Sequence, residues 1–298
     1  MSSLAPIALF VYNRIDHTRY TVDALRQNIL ASESELFIFS DGPKSERNAS
    51  AVSSVREFVH SINGFKTVTI IEREKNYGLA NSIIDGVTTL VNKYGKIIVV
   101  EDDLVTSKYF LEYMNTALEV YADVHEVVSI HGYMYPTKMK LPETFLIRGT
   151  DCWGWATWKR GWDIFEKDSK KLLVELQQHD LLYTFDWDGS YKNSKMLQQQ
   201  INGNVDSWAI RWHASAFLKK KLTLYPSISL VNNIGGDSEG THTKSLHEFQ
   251  TSVAQIPVNV KKLAPVEDSN ARAAIVDFYK SVQQSTLQKI WNKINSFF

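Results

Sequence analysis

The chain has 298 residues, of which 44% are hydrophobic, and this supply of apolar side chains excludes a disordered protein. Its 33 Lys and Arg balance its 33 Asp and Glu, without the basic excess of proteins that bind duplex nucleic acid, so no nucleic-acid partner is expected. The one cysteine, Cys152, excludes an intrachain disulfide, and the apolar run at 7–12 is too short for a signal peptide or a membrane span. A cytoplasmic protein is therefore expected.

The first part of the chain alternates strand-like and helix-like segments. Continuous apolar or β-branched runs, typical of strands buried on both faces, lie at 6–13, 36–40, 67–71 and 96–100. Apolar residues at helical spacing predict helices at 16–30, 45–62, 78–94 and 108–122. These repeats indicate an α/β fold of the Rossmann-like kind, in which a mostly parallel sheet is covered by helices on both faces.

The second part of the chain has shorter elements. Strands are predicted at 127–130 and 145–148, an extended segment at 222–230, and helices at 168–180, 191–200 and 206–220. The segment 152–162 reads CWGWATWKRGW, which is too rich in glycine and tryptophan for an ordinary helix. A polar, glycine-rich loop is predicted at 232–242 and, after a hinge near Pro265, a C-terminal helical extension at 271–298.

Polar residues follow each of the predicted parallel strands. In open α/β sheets, ligands bind beyond the carboxyl ends of the strands, so the sequence predicts a binding site at this edge of the sheet. The residues that the four strands bring there are Asn13 with Arg14, Asp41 with Gly42, residues 72–76, and residues 101–103.

Three adjacent acids, Glu101, Asp102 and Asp103, come directly after an aliphatic strand. Their like charges repel one another and raise one another's pKa unless a cation meets them. Oxygen ligands of this kind suit Mg²⁺ or Mn²⁺. The alternative is a solvated turn in which Asp103 caps the helix that follows.

These motifs, taken in order, resemble nucleotide-sugar glycosyltransferases with the GT-A fold. The motifs are Asn13-Arg14, Ser40-Asp41-Gly42, EKNYGLAN at 74–81 and VVEDD at 99–103. The last is similar to a Glu-Asp-Asp form of the family's Asp-x-Asp motif, as in family 2-like and N-acetylglucosaminyltransferase I type enzymes. The resemblance covers about the first 120 residues well and is patchier beyond them.

The resemblance implies a metal-dependent glycosyltransferase. Such an enzyme would move a hexose or N-acetylhexosamine from a nucleotide-diphosphate sugar, with a UDP-sugar favoured, to a glycan or lipid-linked acceptor in surface polysaccharide synthesis. Its cofactor would be Mn²⁺ or Mg²⁺. Residues 1–125 would form the donor-binding half and 126–256 the acceptor-binding half of one GT-A domain, followed by a helical tail at 257–298.

The resemblance also implies roles for residues of the donor site. Asp41 would bind the base or ribose, Asp103 would bind the metal, and His242 would complete the metal shell. The other donor-binding residues implied are Asn13, Arg14, Asn76, Gly78, Asn81, Glu101 and Asp102. The alternatives are a turn acid for Asp41 and a surface histidine for His242.

The eight tryptophans all lie at or beyond Trp153. Clustered tryptophans suit carbohydrate binding, because the apolar face of a sugar ring packs on indole. Trp153, Gly154, Trp155 and Trp208 are therefore expected to contact the acceptor. For any single tryptophan the alternative is a place in the core.

An inverting transfer needs a carboxylate that takes the proton from the acceptor hydroxyl. Asp206 is the expected catalytic base, since Asp206-Ser207-Trp208 resembles the Asp-Asp-Trp stretch that holds the base in the N-acetylglucosaminyltransferase I type. Asp151 is the reserve candidate. The alternative for Asp206 is a helix N-cap. Cys152 is expected to be a small apolar residue rather than a nucleophile.

Two other functions stay open at this stage. A non-catalytic relative would bind nucleotide or glycan and scaffold a glycan-assembly complex. A sugar-1-phosphate nucleotidylyltransferase has the same fold, but its glycine-rich basic loop is absent at 11–16. The basic segment 280–298 is expected either to contact the inner face of a membrane peripherally or to pack on its own domain.

Overall fold

A computed structural model describes the backbone of residues 3–236 and 247–295, with side chains up to residue 284. The strands in these ranges are β1 (Ile7–Val11), β2 (Glu35–Ser40), β3 (Thr67–Glu72), β4 (Lys96–Glu101), β5 (Leu104–Thr106), β6 (Val127–His131), β7 (Thr144–Arg148), β8 (Trp155–Trp158), β9 (Leu222–Pro226) and β10 (Val231–Asn233). The helices are α1 (Ile15–Arg26), α2 (Glu46–His60), α3 (Leu79–Tyr94), α4 (Phe110–Val120), α5 (Lys159–Trp162), α6 (Ser169–Gln178), α7 (Leu182–Phe185), α8 (Asn193–Ile201), α9 (Trp208–Leu218) and α10 (Ser269–Asn295).

Eight of the strands form one sheet in the order β3-β2-β1-β4-β8-β6-β9-β7. The strands β3, β2, β1 and β4 are parallel, which confirms the predicted α/β architecture. Strand β8 pairs antiparallel with both β4 and β6 and thereby extends the sheet into the second part of the chain. Beyond it, β9 is parallel to β6, and β7 is antiparallel to β9 at the edge.

Side chains of the central strands alternate between two cores, because successive residues of a strand point to opposite faces. In β1, Leu9 packs with α1, α2 and α4, whereas Phe10 packs with α3 on the other face. Gly86 brings α3 close to the sheet, since a Cβ there would lie 2.8 Å from the Phe10 ring. Helices thus cover both faces, and this explains the continuous apolar sequences of the parallel strands.

The tryptophan-rich segment forms β8 and the start of α5, and much of it lies in the core. Trp155 is 0% exposed, and its ring centroid lies 4.3 to 5.9 Å from those of Trp162, Trp208 and Trp212. Strand β8 fills the space between β4 and β6, so ladder pairing on both sides determines its conformation.

The order of the parallel strands reverses at β1. The chain passes through α1 from β1 to β2 and then β3, and α3 returns it to β4 on the other side of β1. In open α/β sheets, the crevice outside the carboxyl ends at such a reversal is the usual ligand-binding position. The residues that follow β1 and β4 therefore meet at this position.

A short ladder of β5 and β10 brings part of the second half to the same place. Strand β10 pairs antiparallel with β5, and the Ile234 N–H donates to the Asp103 carbonyl at 2.8 Å. Gly235 lies so close to Asp103 that a Cβ on Gly235 would overlap the carboxylate. The loop after β10 therefore borders the crevice, and His242 lies outside the described residues.

Some elements differ from the predicted ones. The short strands β5, β8 and β10 were not predicted, because each is defined by pairing with a distant segment. Helix α9 begins at Trp208 rather than at residue 206, since the Ser207 hydroxyl accepts the Ile210 N–H and caps the helix. Among the helices described, none has the length and apolar character needed to cross a membrane.

The burial of Trp155 leads to a stability prediction. Trp155→Ala should lower the free energy of unfolding by about 3 to 5 kcal/mol, because it leaves a cavity between α3, α9 and the sheet. Trp153→Ala, two residues away and half-buried, is the matched control and should cost clearly less. Urea unfolding measures both. Equal, small losses would contradict the placement of Trp155 in the core.

Candidate active site

Asp41, directly after β2, holds the loop that follows β3 with both of its carboxylate oxygens. Its Oδ1 accepts the backbone N–H groups of Gly42 at 2.9 Å and Tyr77 at 2.8 Å. Its Oδ2 accepts Asn76 Nδ2 at 3.0 Å and the Gly78 N–H at 2.9 Å. A carboxylate has about four acceptor positions, so these bonds use the capacity of Asp41. Asp41 therefore positions this loop, and its contact with a nucleotide stays a proposal.

Arg56, which no motif indicated, and Arg73 of the loop itself help to hold this loop. Arg56 of α2 donates from Nη2 to the Arg73 carbonyl at 2.7 Å. The Arg73 guanidinium lies 4.6 Å from the centre of the Tyr77 ring and forms an ion pair with Asp85 of α3. Arg56 could not be found from the sequence, because a single basic residue on an amphipathic helix usually faces solvent.

The other predicted donor contacts near this loop are more open. Gly78 has a φ of +75°, and nothing lies within 4 Å of the position that its Cβ would take. Asn81 is exposed and donates from Nδ2 to the Tyr77 carbonyl at 3.0 Å, and Asn13 is half-buried after β1. The space beside Gly78 suits a ligand that approaches the backbone closely. Asn13, Gly78 and Asn81 stay predicted ligand contacts.

Arg14, which follows β1, forms an ion pair with two of the three acids after β4. Its Nη2 atom lies 2.5 Å from Asp102 Oδ1 and 3.0 Å from Asp103 Oδ2. The side chains of Arg14, Asp102 and Asp103 are 18%, 8% and 19% exposed. Thr21 of α1 donates to the Asp102 carbonyl at 2.9 Å. These contacts join the ends of β1 and β4 where the strand order reverses.

Burial and neighbouring charges shift the pKa values of this cluster. Burial, with the charges of Asp103 and Asp102, raises the pKa of Glu101 well above its ordinary value. Burial also raises the pKa of Asp102 to about 6, although Arg14 opposes the shift. Burial lowers the pKa of Arg14, but the two aspartates raise it by more. Glu101 is therefore harder to ionise than an exposed glutamate, and Arg14 stays charged.

The repulsion among Glu101, Asp102 and Asp103, from which a bound cation was predicted, is already reduced by a residue of the chain. That prediction assumed that nothing positive in the chain meets the acids, whereas Arg14 meets Asp102 and Asp103. The partner was missed because it lies 88 residues before Asp102 and was assigned to the donor. The alternative, in which Asp103 caps the next helix, is also wrong, since α4 begins at Phe110 without a side-chain cap.

Asp102 and Asp103 nevertheless fit a metal ion that arrives with a substrate. Among the side chains that the structure describes, at 3–236 and 247–284, no group of three or more His, Cys, Asp or Glu residues is placed to hold a metal. However, Mg²⁺ usually binds through one or two carboxylates and takes its other ligands from water and substrate phosphates. The two aspartates supply hard oxygen donors of that kind at the reversal of the sheet. The donor set therefore suits a cation bound together with a diphosphate.

Asp151, the reserve candidate for the base, lies among buried aromatic side chains. Its Oδ2 accepts the hydroxyls of Tyr135 at 2.5 Å and Tyr225 at 3.3 Å, and its Oδ1 accepts the Cys152 N–H at 2.8 Å. His131 Nε2 lies 3.6 Å from Oδ2. Burial raises the pKa of Asp151, but the hydrogen bonds from Tyr135 and Cys152 help to lower it overall. Asp151 is therefore held as a carboxylate with low basicity.

His131 and Cys152, on either side of Asp151, are both uncharged. Burial lowers the pKa of His131 to about 4, with Asp151 opposing, and its ring nitrogens have no hydrogen-bond partner among the described residues. Burial, followed by the charges of Asp151 and Glu101, raises the pKa of the Cys152 thiol, so it is not an activated nucleophile. Strand β8 pairs Trp155 with Val99, two residues before Glu101, so this segment lies near the acid cluster.

The residues expected to contact the acceptor divide into two pairs. Trp153 is half-buried and packs edge-on against Tyr133 at 4.7 Å between ring centroids, and Gly154 adopts a φ of +63°. Trp155 and Trp208 are 0% and 3% exposed. Their indoles form core contacts and offer no surface to a sugar, which corrects the expectation for both. Acceptor contact is kept as a proposal for Trp153 and Gly154.

Asp206 precedes α9, and its side chain is 57% exposed. Arg211 donates from Nη2 to its Oδ1 at 2.9 Å. Since Ser207 caps the helix, the capping alternative for Asp206 is wrong. The ring of Trp208 lies 5.3 Å from that of Trp155, which places the start of α9 beside β8.

Comparisons with known proteins give only remote likenesses. No protein-family model and no curated protein sequence matches the chain. Solved structures similar to it include S. aureus TarS 1–349, at 10% identity over 78% of this chain and 60% of that chain, with a TM-score of 0.43. A second is S. aureus TarS, at 12% identity over 50% of this chain and 25% of that chain, with a TM-score of 0.32. A third is the mannosyltransferase PcManGT from Pyrobaculum calidifontis in complex with GDP-Man and Mn²⁺, at 11% identity over 72% of this chain and 69% of that chain, with a TM-score of 0.39.

The chain spans only 25% and 60% of the two TarS chains. At these identities and TM-scores, the likeness carries no argument about function.

The neutral, buried His131 leads to a prediction about pH. An unfolded histidine takes up a proton near its ordinary pKa of 6.5, whereas His131 in the folded protein resists protonation down to about 4. The unfolded state thus binds more protons between these values, so His131 makes stability fall as the pH falls through this window. His131→Phe should reduce the stability lost between about pH 7 and about pH 4.5 by about 2 to 3 kcal/mol.

Urea unfolding of both proteins at the two pH values measures this difference. His179→Gln, at an exposed histidine, is the matched control and should lose as much stability as the unsubstituted protein. The same acid loss in His131→Phe would contradict a histidine kept neutral by burial.

Proposed function

We propose that the protein is a glycosyltransferase that takes its sugar from a nucleotide-diphosphate donor. The observation that carries this proposal is the meeting of Arg14 with Asp102 and Asp103 at the reversal of the strand order. Beside it, at the end of β2, lies the loop anchored by Asp41. A nucleotide diphosphate needs a charged place for its phosphates and a shaped place for its base and ribose, and these neighbouring strand ends offer both.

The donor's diphosphate is proposed to bind Arg14. A guanidinium can form two parallel hydrogen bonds to phosphate oxygens, and Arg14 keeps its charge at any physiological pH. The nucleoside is proposed to lie against the loop of Asn76 and Gly78, near Asn81, with Asp41 holding that loop. Asn13, next to Arg14 in the chain, is proposed to contact the donor as well.

A divalent cation, Mn²⁺ or Mg²⁺, is proposed to bind Asp103 together with the donor. The carboxyls of Asp102 and Glu101 are proposed to hold the ribose, the donor sugar or water bound to the metal. His242 is proposed to complete the shell of ligands around the metal. A cation at this place offsets the negative charge that develops as the nucleoside diphosphate departs.

Asp206 is proposed to take the proton from the acceptor hydroxyl in an inverting transfer. Its side chain is 57% exposed, so a hydroxyl can reach the carboxylate even though Arg211 binds Oδ1. The carboxylate of Asp151 is instead used by Tyr135, Tyr225 and its own turn. Asp151 is therefore proposed to position the segment of Trp153 rather than to act as the base.

The finer assignments are proposals that the sequence motifs support. The donor is a UDP-sugar of a hexose or an N-acetylhexosamine, and the acceptor is a glycan or lipid-linked sugar of surface polysaccharide synthesis, contacted by Trp153 and Gly154. Residues 1–125 bind the donor, 126–256 bind the acceptor, and 257–298 form a tail. The enzyme acts in the cytoplasm, with peripheral membrane contact through 280–298.

A second candidate is a non-catalytic relative that binds nucleotide or glycan as part of an assembly complex. It is favoured because the acids of the site already have partners within the chain. Asp41 accepts hydrogen bonds from the loop after β3, and Arg14 pairs with Asp102 and Asp103. Turnover separates the two candidates, since a scaffold would bind the nucleotide sugar without cleaving it.

The first test is a panel of nucleoside diphosphates and their sugars, each with and without Mn²⁺. A ligand that binds only the folded protein at about 100 times its Kd should raise the Tm by roughly 5 °C. Hydrolysis of a sugar nucleotide is measured on the same samples. Asp103→Ala should abolish the Mn²⁺-dependent part of the shift and slow hydrolysis by about 100-fold or more.

Asp163→Ala is the matched control for Asp103→Ala, because Asp163 is an exposed acid paired with Lys159. It should keep both the shift and the hydrolysis. If no sugar nucleotide shifts the Tm or is cleaved with Mn²⁺ present, the glycosyltransferase proposal fails. Binding without cleavage, equal in the Asp103 variant, would favour the scaffold.

The choice of base is tested by Asp206→Asn and Asp151→Asn. Loss of a general base costs about 100-fold to 10,000-fold in rate, so Asp206→Asn should lower the kcat for transfer by that factor while donor binding stays unchanged. Asp151→Asn should lower the unfolding free energy more than Asp206→Asn does, because it disturbs the buried contacts of Tyr135 and Tyr225. The reverse pattern would assign the base to Asp151.

A further inference from the structure

Arg14 contacts both aspartates through one atom. The distances from Nη2 are 2.5 Å to Asp102 Oδ1 and 3.0 Å to Asp103 Oδ2. The guanidinium therefore lies between the two carboxylates, which is the position of a bridging cation. A metal ion that binds Asp103 has to compete with Arg14 for the carboxylate oxygen.

The ion pair is held in place by its surroundings. Asp102 is 5% exposed, and its carbonyl accepts the hydroxyl of Thr21. Burial and this bond hold Asp102 where Arg14 meets it, so a metal that approaches the two aspartates meets Arg14 at the same place. Competition at this place is thus decided by whether Arg14 leaves.

The charges indicate what makes Arg14 leave. One guanidinium faces two carboxylates in the free protein, and a metal that replaced Arg14 would leave this mostly buried guanidinium without a partner. A diphosphate adds at least two negative charges and offers oxygens to which a guanidinium binds through two parallel bonds. A divalent cation can then take the aspartate oxygens that Arg14 gives up.

We propose that in the donor-free protein Arg14 occupies the position that a divalent cation would take at Asp103, beside Asp102, so that the cation binds there only together with a diphosphate. Arg14 is thus a positioning residue that makes metal binding conditional on the donor. The inference rests on the proposed function only in naming the donor as the source of that diphosphate. It predicts that the free protein does not keep a metal, and that removal of the guanidinium exposes the site.

The experiment is equilibrium dialysis of the full chain against Mn²⁺ alone and against Mn²⁺ with inorganic pyrophosphate. Pyrophosphate serves as the probe because it carries the diphosphate without a base or a sugar. The manganese retained with the protein is measured. The unsubstituted protein should bind Mn²⁺ at least about tenfold more tightly when pyrophosphate is present.

Arg14→Met is the decisive variant. It should bind Mn²⁺ without pyrophosphate at least about tenfold more tightly than the unsubstituted protein, because the two carboxylates are left without their guanidinium. Arg26→Met, which removes the exposed partner of Asp23, is the matched control and should change nothing. The double variant Arg14→Met, Asp103→Asn should lose the gained affinity, which locates the bound manganese.

Two results overturn the proposal. One is equal Mn²⁺ binding by the unsubstituted protein with and without pyrophosphate. The other is Arg14→Met binding of Mn²⁺ alone that is no tighter than that of the unsubstituted protein. If Arg14→Met does not fold, the comparison of the unsubstituted protein with and without pyrophosphate still decides.

This test and the test of the proposed function fail separately. A gain of manganese binding in Arg14→Met, with no sugar nucleotide bound or cleaved, keeps the role of Arg14 and removes the glycosyltransferase. Cleavage of a sugar nucleotide by a protein that retains Mn²⁺ without pyrophosphate keeps the enzyme and removes the role of Arg14.

Discussion

The ion pair between Arg14 and the carboxylates of Asp102 and Asp103 joins the carboxyl ends of β1 and β4, and the candidate site depends on it. All three side chains are mostly buried, so any of them would destabilise the fold if left alone. The pair forms only when β1 and β4 lie side by side in their parallel register. The alignment of the two central strands and the charge of the site are therefore set together, and a ligand with phosphates meets a cluster that is already ordered.

The same constraint governs the other acids of the site. The carboxylate of Asp41 accepts hydrogen bonds from its own turn and from the loop after β3. The carboxylate of Asp151 accepts hydrogen bonds from two tyrosines and the Cys152 N–H. These acids hold loops in place and have few acceptor positions left for a ligand. A preorganised site requires loops that are held in this way. The features that stay available to a ligand are the space beside Gly78, the exposed carboxylate of Asp206, and the aspartate oxygens that Arg14 gives up when it binds a diphosphate.

The sequence was sufficient for the parallel half of the fold, because strands buried on both faces and helices with one apolar side leave strong local patterns. It was not sufficient for β8, where a ladder on each side outweighs local preference, or for Trp155, whose burial depends on α3 and α9. In the site, the edge of the sheet and the acids at 101–103 were found from strand ends. The partner of those acids was not, since the pairing of Arg14 with Asp102 crosses 88 residues and follows from strand order alone.

A double-mutant cycle on Arg14 and Asp102 tests the central claim most directly. The unfolding free energies of Arg14→Met, Asp102→Asn and the double variant, measured in metal-free buffer, give the coupling between the two side chains. The account predicts a coupling of at least about 1.5 kcal/mol, because Arg14→Met leaves mostly buried carboxylates without their guanidinium, and Asp102→Asn removes the nearer of the two carboxylates that Arg14 contacts. The same cycle on the exposed pair of Arg26 and Asp23 should give less than about 0.5 kcal/mol. A coupling between Arg14 and Asp102 no larger than that of the exposed pair would contradict the account.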